Sequence, residues 1–156
     1  MNTSLDAYDL KLLAELQRDA STPQSELGLR VNLSTAAVNR RLKRLSDEGV
    51  IERYTVQVAP DALGHELSII VEVEVESERA DQIDALKRHF QACPQVQQCY
   101  YVAGDCDFVL IFCVRSMAQY TQLTHELFFG NDNVKRFKTL VAMNRVKVGL
   151  EVPTAS

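Results

Sequence analysis

Residues 25–45 have the sequence SELGLRVNLSTAAVNRRLKRL, a pattern that predicts a short helix, a tight turn and a second helix. In the second helix Val38, Leu42 and Leu45 are spaced i, i+4 and i+7, so their side chains form one apolar stripe. Ser34 stands directly before this helix, where its hydroxyl can accept a hydrogen bond from a free backbone N–H group. The stretch therefore predicts a helix-turn-helix.

The outward face of the second helix carries the side chains expected at a DNA surface. In a helix-turn-helix the second helix enters the major groove and its first residues reach the base edges. An Asn side chain can bond adenine, an Arg can bond guanine, and a Lys or Ser can hold a phosphate. The residues predicted to contact double-stranded DNA are Ser34, Thr35, Ala36, Asn39, Arg40, Lys43 and Arg44. The alternative is a charged face that only meets solvent.

Two other residues of the stretch have a structural interpretation. Arg41 borders the apolar stripe, which favours an ion pair, with Glu26 or Asp19 as the partner, over contact with a base. Gly28 lies inside the first of the two helices, where glycine costs about 0.5–1 kcal/mol of helix propensity. A glycine at this position predicts close helix packing.

Charge and composition limit the class of protein. The chain has 156 residues and a net charge of −4; residues 1–60 hold 8 basic and 8 acidic residues, and residues 61–156 hold 9 and 13. Basic charge is concentrated at 40–44, which predicts DNA contact through one element.

No apolar run approaches the roughly 20 residues that span a membrane, and no secretion signal is recognisable. Four cysteines without Cys-x-x-Cys spacing predict free thiols in a reducing cytoplasm and no metal site.

The pattern of elements divides the chain into two predicted domains. Residues 5–18 predict a first helix, and Thr22-Pro23 predicts the start of the next, with Thr22 as its cap. Residues 51–58 alternate between two faces and predict a linking strand. Turn-forming residues then interrupt the pattern, so the predicted domains are residues 1–60 and 61–156.

The second domain has the predicted element order β-α-β-β-α-β. Strands are predicted at 69–76, 96–102, 108–114 and within 134–148, with amphipathic helices after the first and third strands. This is the order of the ferredoxin-like fold. The predicted fold class is therefore α+β, with an N-terminal helix-turn-helix domain followed by a ferredoxin-like βαββαβ domain.

An acidic row lies on the first strand of this domain. Glu72, Glu74 and Glu76 alternate with apolar residues and therefore share one face of the strand. We expect them to be exposed or paired across strands, with Arg145 and Lys147 as partners, rather than to bind a metal.

Short motifs follow one another in a specific order along nearly the whole chain. They are LDAYD at 5–9, EL at 26–27, LS at 33–34, RLKRL at 41–45, GVI at 49–51, Tyr54, LG at 63–64, GDCD at 104–107 and VK at 146–147. In this order the chain resembles the Lrp/AsnC family of bacterial and archaeal transcription regulators. The resemblance implies a DNA-binding domain followed by a ferredoxin-like domain that senses a small molecule. It also implies a homodimer, often assembled into an octamer, with an amino acid bound between protomers.

The loop Gly104-Asp105-Cys106-Asp107 is the candidate effector site. From its residues alone it is an ordinary turn between two strands, since Gly and Asp are common turn residues. The resemblance favours an amino-acid site formed by Gly104, Asp105 and Asp107. A carboxylate can accept a hydrogen bond from an ammonium group, and a glycine exposes a backbone N–H to a carboxylate. Ala103 stands where many family members have Thr.

The predicted function is sequence-specific DNA binding by a transcription regulator that responds to an amino acid. We expect no enzymatic activity and no cofactor, because the sequence has no nucleophile–base pattern, phosphate-binding loop or metal motif. Two alternatives are an architectural DNA-binding protein without an effector and an enzyme similar to siroheme decarboxylases on the same fold. The basic cluster at 40–44 disfavours the enzyme. The predicted location is the cytoplasm, without a membrane partner.

Overall fold

The chain folds into two compact units. The computed structural model describes residues 4–154. One unit contains the chain as far as Gln57 together with the segment from Val148 onward, and the other extends from Val58 to Lys147. No helix of the described residues is long and apolar enough to cross a membrane.

The first unit contains three helices around a small apolar core. They are α1 (Ala7–Arg18), α2 (Gln24–Val31) and α3 (Thr35–Asp47). The core side chains are Leu12, Leu27, Val31, Val38 and Leu42. The predicted stripe of α3 is confirmed, because all three of its residues are buried.

Two local predictions for this unit are wrong. Helix α2 has Pro23 as its N-cap residue and no side chain caps it, so Thr22 is not the cap. Residues 51–58 form no strand. Their alternation suits a strand, but within the described residues no neighbouring strand pairs with them, and Val56 remains 81% exposed.

The second unit is a four-stranded antiparallel sheet with two α-helices, preceded by a short 3-10 helix at Pro60–Leu63. The strands are β1 (Leu67–Val75), β2 (Val96–Tyr101), β3 (Phe108–Val114) and β4 (Val134–Val141). The helices are α4 (Ala80–Gln91) and α5 (Met117–Thr124), and α5 continues into a π-helical turn at His125–Phe129. The strand order β2-β3-β1-β4 is that of the ferredoxin-like fold, which confirms the predicted fold class.

Alternation along the strands separates a buried face from an uncovered one. The buried face packs with α4 and α5 in a core that includes Phe90, Phe108, Leu110, Phe112 and Phe128. On the opposite face Ile70 lies between Ile111 and Leu140 in the strand register. The helices therefore leave an apolar row on one side of the sheet.

Charge pairs border this apolar row. Glu72 pairs with Lys138 at 3.2 Å, and Glu74 pairs with Arg136. Cross-strand pairing is thus confirmed for two of the three glutamates, but the predicted partners Arg145 and Lys147 are wrong. Strand β4 supplies the partners because it lies directly beside β1 and ends at Val141, before either of the predicted residues.

The segment that follows the sheet belongs to the helical unit. The Gln17 side-chain nitrogen donates to the Val152 carbonyl at 2.9 Å, and the Gln17 oxygen accepts from the Val152 N–H at 2.7 Å. One amide side chain thereby satisfies both backbone groups of Val152. The structure accordingly groups residues from Val148 onward with the helices, whereas the predicted second domain included them.

Candidate DNA interface and effector loop

The start of α3 is built by two local features. Asn32 adopts the left-handed conformation, with φ 60° and ψ 47°, which turns the chain after α2. The Ser34 hydroxyl accepts a hydrogen bond from the Ala37 N–H at 3.2 Å, as its predicted capping role requires. Together they fix where α3 begins and which of its residues face outward.

The outward face of α3 is open to solvent. The six exposed residues at its start and along this face are Ser34, Thr35, Ala36, Asn39, Arg40 and Lys43. Within residues 4–154, Arg40 and Lys43 take part in no ion pair. The structure therefore brings six of the seven predicted DNA-contacting residues to one exposed surface, with two cations available to phosphates.

The seventh residue, Arg44, lies in an ion cluster between α1 and α3. Its Nη2 donates to Asp9 Oδ2 at 2.6 Å. Arg41 Nη1 donates to Asp9 Oδ1 at 2.8 Å and to Asp6 Oδ2 at 2.7 Å. The Asp9 side chain is only 1% exposed, whereas those of Arg41 and Arg44 are 22% and 38% exposed. Two carboxylates thus balance two guanidinium groups.

The cluster sets the ionisation of its two carboxylates. Burial by itself would raise the pKa of Asp9, but hydrogen bonds from Arg44, the Asp6 backbone and Arg41 outweigh it and lower the pKa. The pKa of Asp6 is lowered by the hydrogen bond from the Asp9 backbone and then by Arg41. Both groups are therefore carboxylates at neutral pH.

The structural interpretation of Arg41 is confirmed, but its predicted partners are wrong. Glu26 pairs with Arg30 instead, and Asp19 accepts hydrogen bonds from Ser21. Sequence analysis did not identify Asp6 and Asp9 as the ion-pair partners. Their i, i+3 spacing at the start of a helix is nevertheless a recognisable capping signal.

Gly28 explains the close packing of α2 on the turn before α3. A Cβ atom at this position would lie 2.5 Å from the Leu33 carbonyl oxygen, a distance that real Cβ atoms do not show. The Gly28 carbonyl also accepts the Leu33 N–H at 2.9 Å. The predicted packing role of this glycine is confirmed.

The candidate effector loop joins β2 to β3, and Asp107 holds its end. The Asp107 side chain accepts a hydrogen bond from the Val75 N–H at 2.8 Å, and the Asp107 N–H donates to the Val73 carbonyl at 2.9 Å. Asp107 therefore binds the end of β1, and one of its carboxylate oxygens is occupied.

Asp105 lies at a surface depression of about 450 Å³ beside the uncovered sheet face. The residues that line it are Glu72, Glu74, Asp105, Cys106, Arg136, Phe137 and Lys138. Burial, followed by the charge of Glu72, raises the pKa of the Cys106 thiol. Sequence analysis missed Arg136 and Lys138, whose alternation with Phe137 was the signal that they face away from the core.

Gly104 is exposed in the same loop. Its φ is not positive, and a Cβ atom placed on it would meet no atom of any residue beyond its two chain neighbours within 4 Å. This chain by itself therefore does not require glycine there. Among residues 4–154 no group of three metal-binding side chains occurs, and all four cysteines are free.

Comparison with family models matches both halves of the chain. Residues 5–52 match a model described as winged helix-turn-helix DNA-binding. Residues 68–152 match a model described as the Lrp/AsnC ligand binding domain.

Two relatives extend over nearly the whole chain. An HTH-type transcriptional regulator, y4tD, of Sinorhizobium fredii is 42% identical over 96% of this chain and 88% of its own length. A leucine-responsive regulatory protein of Haemophilus influenzae is 34% identical over 94% of this chain and 88% of its own.

Two solved structures have the same fold. The leucine response regulatory protein LrpA of Mycobacterium tuberculosis superposes with a TM-score of 0.81 at 30% identity, covering 95% of this chain and 99% of its own. A transcriptional regulator of Neisseria meningitidis in complex with L-Met gives a TM-score of 0.89 at 23% identity, covering 96% and 97%.

Proposed function

Because the chain belongs to the Lrp/AsnC family of transcription regulators, we propose that it reads DNA through the outward face of α3 and responds to an amino acid. The chain has a DNA-binding helix-turn-helix and a ligand-binding domain. The observation that carries the proposal is the exposed set at the start of α3, which includes two cations without an ion-pair partner in residues 4–154.

Each residue of this set has a role that suits its chemistry. Asn39 has the chemistry to read an adenine edge in the major groove, and Arg40 that to read a guanine edge. Ser34 and Thr35, at the N-terminus of α3, suit phosphate contact, as does Lys43. Ala36 lets the helix approach the bases closely. We leave Arg44 out of the proposed contacts, because Asp9 holds it.

Substitutions in α3 test this proposal on a duplex selected from a random pool by the wild-type protein. Arg40→Ala should cost about 1–3 kcal/mol of binding free energy and relax specificity at one base position. Lys43→Ala should weaken binding to all sequences and flatten the dependence of affinity on salt. Fluorescence anisotropy measures both effects, with Lys87→Ala in α4 as the control. If both α3 variants folded and bound DNA with the affinity of the wild-type protein, the proposal would be contradicted.

The proposed assembly is a homodimer on a near-palindromic site, with the family's octamer as its higher form. One helix-turn-helix offers little surface, and two copies need half-sites about one helical turn apart or a multiple of that distance. The apolar row of Ile70, Ile111 and Leu140 on the uncovered sheet face supports dimer formation, since helices cover the other face.

The proposed effector site contains Asp105 and the backbone of Gly104. A free amino acid carries an ammonium and a carboxylate, and the depression beside Asp105 holds side chains of both signs. Asp107 positions the loop through its bond to β1. A related protein is named leucine-responsive, and the Neisseria structure contains L-Met, which supports an amino acid as the effector class.

The alternatives have less support. An architectural DNA-binding protein would not need a ligand-binding domain or a charged depression. An enzyme has no support among the relatives, which are named as transcription regulators. Because the proposed partner is DNA, we propose a cytoplasmic location for this chain.

A further inference from the structure

The four basic residues between positions 40 and 44 fall into two classes. Arg40 and Lys43 are exposed and take part in no ion pair among the described residues. Arg41 and Arg44 both donate to Asp9 of α1. Half of the positive charge that the sequence places on α3 is therefore paired with carboxylates of α1 and its N-cap.

The Asp9 carboxylate is held in place from three directions. Its Oδ2 accepts a hydrogen bond from the Asp6 N–H at 3.1 Å, and the Asp6 side chain accepts from the Asp9 N–H at 2.9 Å. This reciprocal pair fixes both acids at the start of α1. The two guanidinium groups complete the coordination of Asp9.

Arg44 depends on Asp9 more than Arg41 does. Arg41 has a second carboxylate partner, Asp6, and its guanidinium lies 5.5 Å from the centre of the Tyr8 ring. Arg44 has no ion-pair partner other than Asp9 among residues 4–154. Removing the charge of Asp9 would therefore release Arg44 and leave Arg41 attached.

We propose that Asp9 is a positioning residue that withholds Arg44 from the DNA backbone and so limits sequence-independent binding. The proposal rests on the proposed function of α3. Each cation that neutralises a phosphate adds affinity for every sequence, whereas Asn39 and Arg40 add affinity for the correct one. Holding Arg44 back therefore improves the ratio of specific to non-specific binding without changing a base contact.

The salt dependence of DNA binding distinguishes a withheld arginine from a contacting one. Each phosphate contact contributes about 0.9 to the slope of log affinity against log salt concentration. We expect Arg44→Gln to keep the wild-type slope on a non-cognate duplex, and Lys43→Gln to reduce its magnitude by about 0.9 per bound protomer. A reduction by Arg44→Gln equal to that of Lys43→Gln would overturn the proposal. An unchanged slope in Lys43→Gln would instead contradict the proposed function.

Asp9→Asn tests the release of Arg44 directly, because it keeps the shape of the side chain and removes its charge. We expect the magnitude of the slope to rise by about 0.9 per bound protomer, with tighter binding to non-cognate DNA. The double variant Asp9→Asn/Arg44→Gln should return to the wild-type slope. A steep slope that persists in the double variant would show that the effect does not pass through Arg44.

Glu15 offers a matched control in the same unit. Like Asp9, it pairs with two arginines, Arg18 and Arg30, one of which has a second acidic partner. Glu15→Gln changes the net charge by the same amount as Asp9→Asn but lies outside the α1–α3 cluster, so we expect a wild-type slope. If the magnitude of the salt slope rose equally in Glu15→Gln and Asp9→Asn, the change in net charge alone would explain the effect, and the proposal would be overturned. If Asp9→Asn fails to fold, the Arg44→Gln measurement decides alone.

Discussion

At Gly28 local helix propensity and packing disagree. In an exposed helix, replacing glycine by alanine stabilises by roughly 0.5–1 kcal/mol. Here the added Cβ would meet the Leu33 carbonyl oxygen at 2.5 Å, and that oxygen belongs to the backbone of the turn before α3. We therefore predict that Gly28→Ala lowers the free energy of unfolding by about 1–3 kcal/mol, the usual cost of overpacking.

Urea unfolding followed by circular dichroism measures this change. Ser25→Ala, at an exposed position of the same helix, serves as the control and should stay within about 0.5 kcal/mol of wild type. A more stable Gly28→Ala protein would mean that helix propensity outweighs the close contact.

Single residues also differ in how far the sequence predicts their role. The cap at Ser34 was predictable because it involves a residue three positions away. The partner of Arg41 was not, because Asp9 lies 32 positions earlier and meets it only when α1 packs on α3. The hydrogen bond from the Val75 N–H to the Asp107 carboxylate was unpredictable for the same reason, since the two residues are 32 positions apart.

At the scale of elements, the ion cluster couples the stability of α1 and α3 to pH. The folded pKa values of Asp6 and Asp9 are lower than the unfolded value of 3.8. Their contribution to stability is therefore complete above pH 3.8 and is lost as the pH falls through the folded values. We predict that Asp9→Asn is less stable than wild type at neutral pH and loses less of its stability on acidification.

Urea unfolding at a series of pH values tests this coupling. Asp47→Asn is the control, since Asp47 ends α3 without an ion pair among the described residues. It should follow the wild-type curve. If the curves of wild type and Asp9→Asn run parallel down to the acid transition, the cluster does not carry the pH dependence.

Elements were predictable where burial imposes a period on the sequence. Helix α3 and strand β1 follow the patterns in their sequences, because one face of each is buried. Residues 51–58 have a strand pattern but no neighbouring strand in the described chain, so the pattern alone did not suffice. A strand needs a hydrogen-bonding partner that its own residues cannot specify.

At the scale of the whole molecule, we propose that an effector bound between protomers acts on DNA binding through assembly. A ligand that binds between protomers favours the oligomer that completes its site, which changes the spacing of the DNA-reading helices. We predict that Asp105→Ala abolishes amino-acid binding and the accompanying change in oligomer size, while DNA binding stays near wild type.

Calorimetry with the twenty amino acids, followed by light scattering with the one that binds, measures both parts. Asp81→Ala, an exposed acid on α4, is the control and should bind like wild type. Absence of binding to the wild-type protein would favour an architectural DNA-binding protein. If Asp105→Ala bound the amino acid as tightly as wild type, the loop at 104–107 would be an ordinary turn without a role in effector binding.

The hydrogen bonds between Gln17 and Val152 have a consequence for synthesis on the ribosome. The three helices emerge first, but ~90 residues of the second unit must be translated before Val152 can reach Gln17, which at ordinary speeds takes about 5–20 seconds. During that interval the Gln17 amide lacks its Val152 partner. The helical unit can therefore complete this contact only after the second unit has been translated.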